Sequence, residues 1–151
     1  RKSPADKTLT LYFQHQASCQ KFCPMITRKK KELCNIEHVK KFKNCVTKVV
    51  YSIPLTCKKV YIGQTGRCFN ERTLEHFNLV KCGISGYLAV HCRSCKCKPL
   101  FEKAQFLGHA KDKLQREIIE AFFIRKAGDN CVSTPSLSLL ENETAFLDDC
   151  D

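Results

Sequence analysis

Two tyrosines followed by an arginine, a histidine and a later glutamate are the residues of this chain best suited to chemistry. They are Tyr51, Tyr61, Arg72, His76 and Glu120. Hydrolysis of a phosphodiester requires a base for the attacking water, a cation near the phosphate and a carboxylate that holds a metal ion. The five residues supply each of these groups, so cleavage of DNA is the leading hypothesis.

The two tyrosines lie on segments that have the composition of β-strands. Residues 48–53 are rich in β-branched and aromatic side chains and end at Pro54, and residues 58–63 have the same character. The short connection between them predicts an antiparallel hairpin. Because side chains alternate between the faces of a strand, Tyr51 and Tyr61 can point into the same pocket.

The other three residues lie on segments with helical periodicity. Residues 68–80 predict a helix, on which Arg72 and His76 are four positions apart and therefore share a face. Residues 111–126 predict a second helix, which carries Glu120. The apolar stripe of that helix consists of Leu114, Ile118, Ala121 and Phe122.

Further segments complete the predicted fold. Residues 87–91 indicate a short helix, and residues 104–107 indicate a third strand. A closing acidic helix is predicted within residues 136–147, with Ser138 as its cap and Glu141 at the capping-box position. The expected fold class is α+β, with a small three-stranded antiparallel sheet flanked by helices.

The order of these motifs resembles the GIY-YIG nuclease superfamily. The similarity covers about residues 45–132 and looks most like the endonuclease module of Penelope-like retroelements and related transposon-derived proteins. In one departure, the first motif lacks its glycine. The matching segments are Val49-Val50-Tyr51, Tyr61-Ile62-Gly63, Arg72 with His76, and Glu120 followed by Ile124-Arg125.

The resemblance implies a metal-dependent endonuclease that nicks DNA, with a role for each residue. Tyr51 and Tyr61 would position or deprotonate the water, and which of them is the base stays open. A free phenol has a pKa of about 10, so nearby cations would have to lower it. Arg72 would bind the scissile phosphate, and His76 would protonate the leaving oxygen or contact phosphate. Glu120 would hold Mg²⁺ or Mn²⁺.

The resemblance also implies supporting residues, and several assignments have alternatives. Gly63 would let the backbone approach the substrate, Arg67 would contact phosphate, and Asn130 would support the site. Glu117, one turn before Glu120, is the reserve metal ligand because it lies nearer the apolar stripe. The alternatives are two core tyrosines, a salt bridge between Arg72 and Glu75, and an i,i+4 pair between Glu120 and Arg116. His76 would then be a partly buried helix histidine, and Asn130 a turn residue.

Twelve cysteines accompany these residues, which favours zinc and free thiols, with disulfides as the alternative. The retroelement relatives have a Cys-Cys-His-His cluster tied to the loop between the tyrosine motifs. This chain has only Cys57 in that loop, so a structural Zn²⁺ site there would borrow ligands from Cys34, His38 and Cys45. A second set with zinc-like spacing consists of His91, Cys92, Cys95 and Cys97.

The net charge of +11 is unevenly distributed. Residues 1–48 contain twelve bases and three acids, residues 49–133 contain fourteen and seven, and residues 134–151 contain no base and five acids. A basic body predicts a polyanionic partner, namely DNA rather than a membrane. Reduced thiols together with a DNA-binding surface favour a nuclear or cytoplasmic location over secretion. No signal-peptide pattern opens the sequence, but this says little because the first residue is Arg1.

Three parts are therefore expected. Residues 1–44 form a basic, cysteine-containing leader that could contribute to zinc binding, residues 45–132 form the nuclease-like domain, and residues 133–151 form an acidic helix or tail. Because the chain starts at Arg1, we expect a fragment. By the resemblance, a reverse transcriptase would precede it.

Three functions compete at this point. The first is the metal-dependent endonuclease. The second is a catalytically inactive zinc module that binds nucleic acid, and the third is a secreted, disulfide-rich basic protein.

Overall fold

The computed structural model describes residues 34–83 and 85–149. The predicted α+β class is confirmed, because the described part contains a three-stranded antiparallel sheet and four α-helices. Residues 1–33 of the predicted leader lie outside the described residues, and together with residue 150 they include three of the cysteines. The elements are β1 (Val49–Pro54), β2 (Val60–Thr65), α1 (Phe69–Cys82), α2 (Tyr87–Cys95), β3 (Gln105–His109), α3 (Lys113–Ala127) and α4 (Glu141–Asp148).

The strand order is β2-β1-β3, so β1 is central. Tyr51 lies opposite Gly63 of β2, while Tyr61 lies opposite Ile53 of β1. Since residues 51 and 53 are two positions apart, both tyrosines lie on the same face of the hairpin. A register shift between Val50 and Tyr51 interrupts the pairing of β1 with β3.

Each face of the sheet buries its own hydrophobic cluster. On the tyrosine face, Tyr51 and Ile53 pack with Phe69 at the start of α1 and Leu88 of α2. The opposite face packs against α3 and α4. Its buried residues include Val50, Ile62, Ile118, Ile119, Phe122 and Leu147. Helices therefore cover both faces of this small sheet.

The segment before β1 is fastened to α1 by the buried side chain of Asn70. Its Oδ1 accepts hydrogen bonds from the backbone N–H groups of Phe42 (2.8 Å) and Lys43 (3.2 Å), and its Nδ2 donates to Lys43 O (2.8 Å). The Phe42 ring packs 5.3 Å from that of Phe101. Phe42, which precedes the predicted domain start at residue 45, is thus part of the core.

The last helix, α4, begins later in the chain than predicted. The predicted cap of α4 at Ser138 is wrong, because the helix begins at Glu141 and the backbone N–H of Leu140 donates to Glu143 Oε2 (2.8 Å). This register places Leu147, which is completely buried, against the core. No helix in the described ranges has the length and apolar character needed to cross a bilayer.

Candidate active site and two cysteine-histidine clusters

Tyr51 is completely buried beneath the backbone of Gly63. Its hydroxyl lies 3.0 Å from Nε2 of His76, which projects from α1. A Cβ atom at position 63 would lie only 2.9 Å from the Tyr51 hydroxyl and 3.1 Å from Cε1 of Tyr61. Glycine at this position therefore makes room for both rings, a role that differs from the predicted approach of the backbone to substrate.

Substitution of Gly63 by alanine is expected to disrupt this arrangement. The added methyl group overlaps the phenol in a packed core, which typically costs ~1–3 kcal/mol. A suitable control is Gly66→Ala, because its Cβ would meet only the guanidinium end of Arg116 at 3.0 Å. Thermal unfolding measures both, and equal melting temperatures for the two variants would contradict the assigned role of Gly63.

Tyr61 is half-buried and faces a small cavity of about 140 Å³. Arg72 and His76 line the same cavity, together with Tyr87 and Leu88 of α2. The Tyr61 and His76 rings meet edge to face with centroids 4.9 Å apart. The structure therefore brings together three of the five predicted catalytic side chains at one concave surface, while Tyr51 lies behind them.

The electrostatics of the two phenols are dominated by burial. Burial raises the pKa of Tyr51 far above its usual range and also raises the pKa of Tyr61. Arg72 lowers both values, as expected of a nearby cation, but this effect is the smaller one. Without a metal ion, both tyrosines are therefore neutral at physiological pH.

His76 is nearly inaccessible to solvent, and burial together with Arg72 lowers its pKa to about 4. The imidazole is therefore neutral at physiological pH. A neutral imidazole can accept the hydrogen bond of the Tyr51 hydroxyl, whereas it is a poor source of a proton for a leaving oxygen. The geometry favours a positioning role for His76 over the predicted role as an acid.

Arg72 also forms the salt bridge that the i,i+3 spacing predicts. Its Nη1 lies 2.8 Å from Glu75 Oε2, and Arg67 Nη2 lies 2.6 Å from the other oxygen of the same carboxylate. Such partly exposed pairs contribute little to stability, about 0–1 kcal/mol each. The Glu75 carboxylate therefore holds the guanidinium groups of Arg67 and Arg72 close together.

Glu120 is buried on α3. Ser136 Oγ donates to Glu120 Oε2 at 2.7 Å. The carboxylate raises the pKa of Tyr51 and Tyr61, and Arg72 in turn lowers the pKa of Glu120, so the four groups lie within electrostatic range. Burial is the larger effect and raises the pKa of Glu120.

Glu117, the reserve metal ligand, and Arg116, the alternative ion-pair partner of Glu120, both interact with other groups. Glu117 lies 3.6 Å from Lys113 Nζ, in an i,i+4 ion pair. Arg116 donates from Nη1 to the carbonyl oxygens of Ala110 and Lys111, at 2.9 and 2.8 Å. The two glutamates thus differ in their surroundings: Glu117 forms an ion pair with Lys113, whereas Glu120 is buried.

The surroundings of Glu120 fit a divalent cation. Within residues 34–83 and 85–149 its carboxylate forms no ion pair, and its hydrogen-bond partner Ser136 is neutral. Arg72 and Ser136 offset the cost of burying this charge only in part, so an approaching cation would be favourable.

Asn130 and Arg67 occupy more peripheral places. Asn130 is exposed in the 3₁₀ turn Gly128–Asn130 that follows α3. Arg67 lies just before α1 and is more than half exposed. Neither is among the described residues that line the cavity.

The first group of metal-ligating side chains ties the segment before β1 to the start of α1. We refer to it as the first cluster. His38 Nε2 lies 3.3 Å from both Cys34 Sγ and Cys68 Sγ. All four ligand atoms lie within 4.8 Å of one another. The first cluster consists of Cys34, His38, Cys45 and Cys68.

The second cluster ties the β1–β2 turn to α2. Cys57 Sγ lies 3.5 Å from His91 Nε2, and that hydrogen bond lowers the pKa of the Cys57 thiol to about 6. The four ligand atoms again lie within 4.8 Å of one another. Zinc–sulfur bonds of ~2.3 Å place tetrahedral ligands about 3.8 Å apart, so both clusters could hold a metal such as zinc. The second cluster consists of Cys57, His91, Cys95 and Cys97.

The partition of the ligands differs from the expected one. Cys57 does not join Cys34, His38 and Cys45 but lies with ligands from and just after α2. Cys68, which was not predicted, completes the first cluster, whereas Cys92 belongs to neither and lies 3.9 Å from Cys97 Sγ. The nine cysteines of the described part all have free thiols.

Two residues next to ligands of the second cluster have left-handed backbone conformations. Lys58 and Lys96 have positive φ angles of 67° and 57°, and each is adjacent to a ligand of this cluster. Such left-handed conformations are unfavourable for residues other than glycine and persist where the surroundings impose them. At α2 the conformation of Lys96 ends the helix and turns the chain so that Cys97 joins Cys95.

Comparison with known proteins adds no relative, since no family model, no curated protein and no solved structure matches the chain.

Proposed function

We propose that this chain is a metal-dependent DNA endonuclease of the GIY-YIG type, derived from a mobile element, that nicks its substrate by hydrolysis. The observation that carries the proposal is the shared cavity of Tyr61, Arg72 and His76. The electrostatic proximity of Glu120 to Arg72 and both tyrosines supports it. The net charge of +11 suits a polyanionic substrate.

In this mechanism the scissile phosphate occupies the cavity beside Arg72. The guanidinium stabilises the negative charge that develops as water attacks phosphorus. Tyr61 in its phenolate form is the base that takes the proton of this water and becomes the neutral phenol, because it lines the cavity whereas Tyr51 is covered. Tyr51 and His76 form the hydrogen-bonded pair that positions the ring of Tyr61 from behind.

Glu120 is the ligand for the divalent cation, Mg²⁺ or Mn²⁺, which when bound supplies Lewis-acid stabilisation of the phosphate and the leaving oxygen. Glu120 itself contributes a buried negative charge, which the hydrogen bond from Ser136 holds in place.

Nicking of supercoiled plasmid tests the proposal, and its pH dependence tests the base. Since the pKa of Tyr61 is raised, its phenolate fraction should grow about tenfold per pH unit below that pKa, and the nicking rate should rise from pH 6 to 9. Tyr61→Phe is expected to lose at least ~100-fold in rate and most of this pH dependence.

The matched control is Tyr51→Phe, which removes the hydroxyl next to His76 but leaves the cavity lining unchanged. We expect it to reduce the rate less than Tyr61→Phe and to keep the upward slope. If Tyr61→Phe nicks as fast as the parent with the same pH profile, Tyr61 is not the base. If the parent itself does not nick with Mg²⁺ or Mn²⁺, the proposed activity is wrong.

We also propose that each cysteine-histidine cluster holds one Zn²⁺ in a structural role. Four protein ligands close the coordination sphere in each cluster, so that neither leaves a position for water or substrate. Their places suit such a role: the first cluster holds the start of α1, and the second holds the turn between the tyrosine strands.

One competing function has support of its own. The two clusters and the basic charge are also compatible with a zinc module that binds nucleic acid without cleaving it. Retention of DNA binding without any nicking, at every pH and with either cation, would favour that module over the nuclease.

A further inference from the structure

A larger groove of about 630 Å³ lies beside the cavity, and Gly86 and Tyr87 line both. Its size falls within the ~300–1,000 Å³ typical of ligand sites. The groove runs along α2 toward the residues that follow α3. Its described lining consists of Lys59, Gly86, Tyr87, Val90, His91, Ser94, Cys131 and Val132.

The groove exposes an aromatic ring at its junction with the cavity. Tyr87 is 61% exposed, and Val90, one turn further along α2, is 44% exposed. Large apolar side chains exposed together in a groove commonly mark a binding surface. Because Tyr87 also borders the cavity of Arg72, a group that covers its ring would adjoin the proposed phosphate site.

The polar residues of the groove indicate which kind of ligand fits. Lys59 supplies a positive charge, and its Nζ is held by the carbonyl oxygen of Asp129 at 3.0 Å. No carboxylate is found among the described residues of the lining. An exposed aromatic ring beside a cation is the combination that binds single-stranded nucleic acid, through base stacking and phosphate attraction.

We propose that this groove binds an unpaired nucleotide of the DNA substrate, with its base stacked on Tyr87 and its phosphate near Lys59. A base within an intact duplex is already stacked on its neighbours and is not available to Tyr87. The chain would therefore prefer DNA in which a single-stranded segment adjoins the scissile phosphate, such as a tailed duplex, over blunt duplex. This inference rests on the proposed nuclease function for the place of the cut, but stacking can be measured without cleavage.

The absence of tryptophan from the 151-residue chain allows a site-specific test. A Tyr87→Trp substitution places the only indole of the chain at the junction. It is combined with Glu120→Gln so that the DNA is not cleaved during the measurement. Titration with single-stranded or tailed DNA is expected to quench the fluorescence of this indole by half or more. Blunt duplex DNA is expected to quench it much less. Val39→Trp, at a 98% exposed position, is the control and should change little.

A second measurement addresses affinity. Tyr87→Ala is expected to bind single-stranded DNA about tenfold more weakly than the parent, and Tyr87→Phe to bind like the parent, because base stacking needs the ring and not the hydroxyl. Equal quenching at positions 87 and 39, or unchanged affinity of Tyr87→Ala, would overturn the proposal. Quenching without any nicking by the parent would contradict only the nuclease function, and nicking without quenching would contradict only this inference.

Discussion

Glu120→Gln is expected to lower the rate of plasmid nicking at least ~100-fold while leaving the chain folded. The amide has the same shape and can still accept the hydrogen bond of Ser136, but it removes the negative charge that holds the cation. Because burial raises the pKa of the Glu120 carboxyl, its charged form is unfavourable there. The variant should therefore melt at the same temperature as the parent or higher.

Glu117→Gln is the matched control for this prediction. It makes the same chemical change one turn earlier on α3, at a carboxylate that pairs with Lys113. We expect it to nick at nearly the parental rate. Equal activity of Glu120→Gln and the parent would remove Glu120 from the site, and equal loss in both variants would mean that the assignment between the two glutamates is wrong.

Cys68→Ser is expected to reduce the zinc content from two ions per chain to one and to destabilise the fold by more than ~3 kcal/mol. The first cluster joins the segment from Cys34 to Cys45 to the beginning of α1, and Cys68 is buried at that junction. Binding of a structural zinc contributes directly to the free energy of folding. Because α1 carries Arg72 and His76, nicking should be lost as well.

Zinc content by metal analysis and thermal unfolding measure this effect. Cys82→Ser, an exposed cysteine at the other end of α1 and outside both clusters, should retain two zinc ions and parental stability. Cys95→Ser should also lose one ion, from the second cluster. A parent that purifies with metal-free clusters, or a Cys68→Ser variant that keeps two zinc ions, would refute the assignment.

The two clusters anchor elements that carry candidate catalytic residues. The second cluster anchors the turn that joins β1 to β2, the strands that carry Tyr51 and Tyr61. Asn70 adds a hydrogen-bonded link between α1 and the segment of the first cluster. If each cluster holds the proposed zinc ion, loss of either ion would loosen an element that carries a candidate catalytic residue.

The local elements of this protein follow from its amino-acid pattern alone. Alternating apolar and aromatic residues predicted the two tyrosine strands, and the 3.6-residue period predicted α1 and α3, to within a few residues of the observed bounds. These features depend on neighbours within a few positions, so a linear pattern contains them. The α+β class followed from their order.

Which of these residues meet depends on contacts between elements that are far apart in the chain. Close spacing indicated most ligands of each cluster, but the last one comes from a distant segment: Cys68 completes the first cluster and Cys57 the second. The burial of Tyr51 beneath Gly63, the opening of Tyr61 to the cavity and the burial of Glu120 likewise depend on packing between elements distant in the chain. Burial also reversed the expected shift of the phenol pKa values, because desolvation outweighs the nearby charge of Arg72.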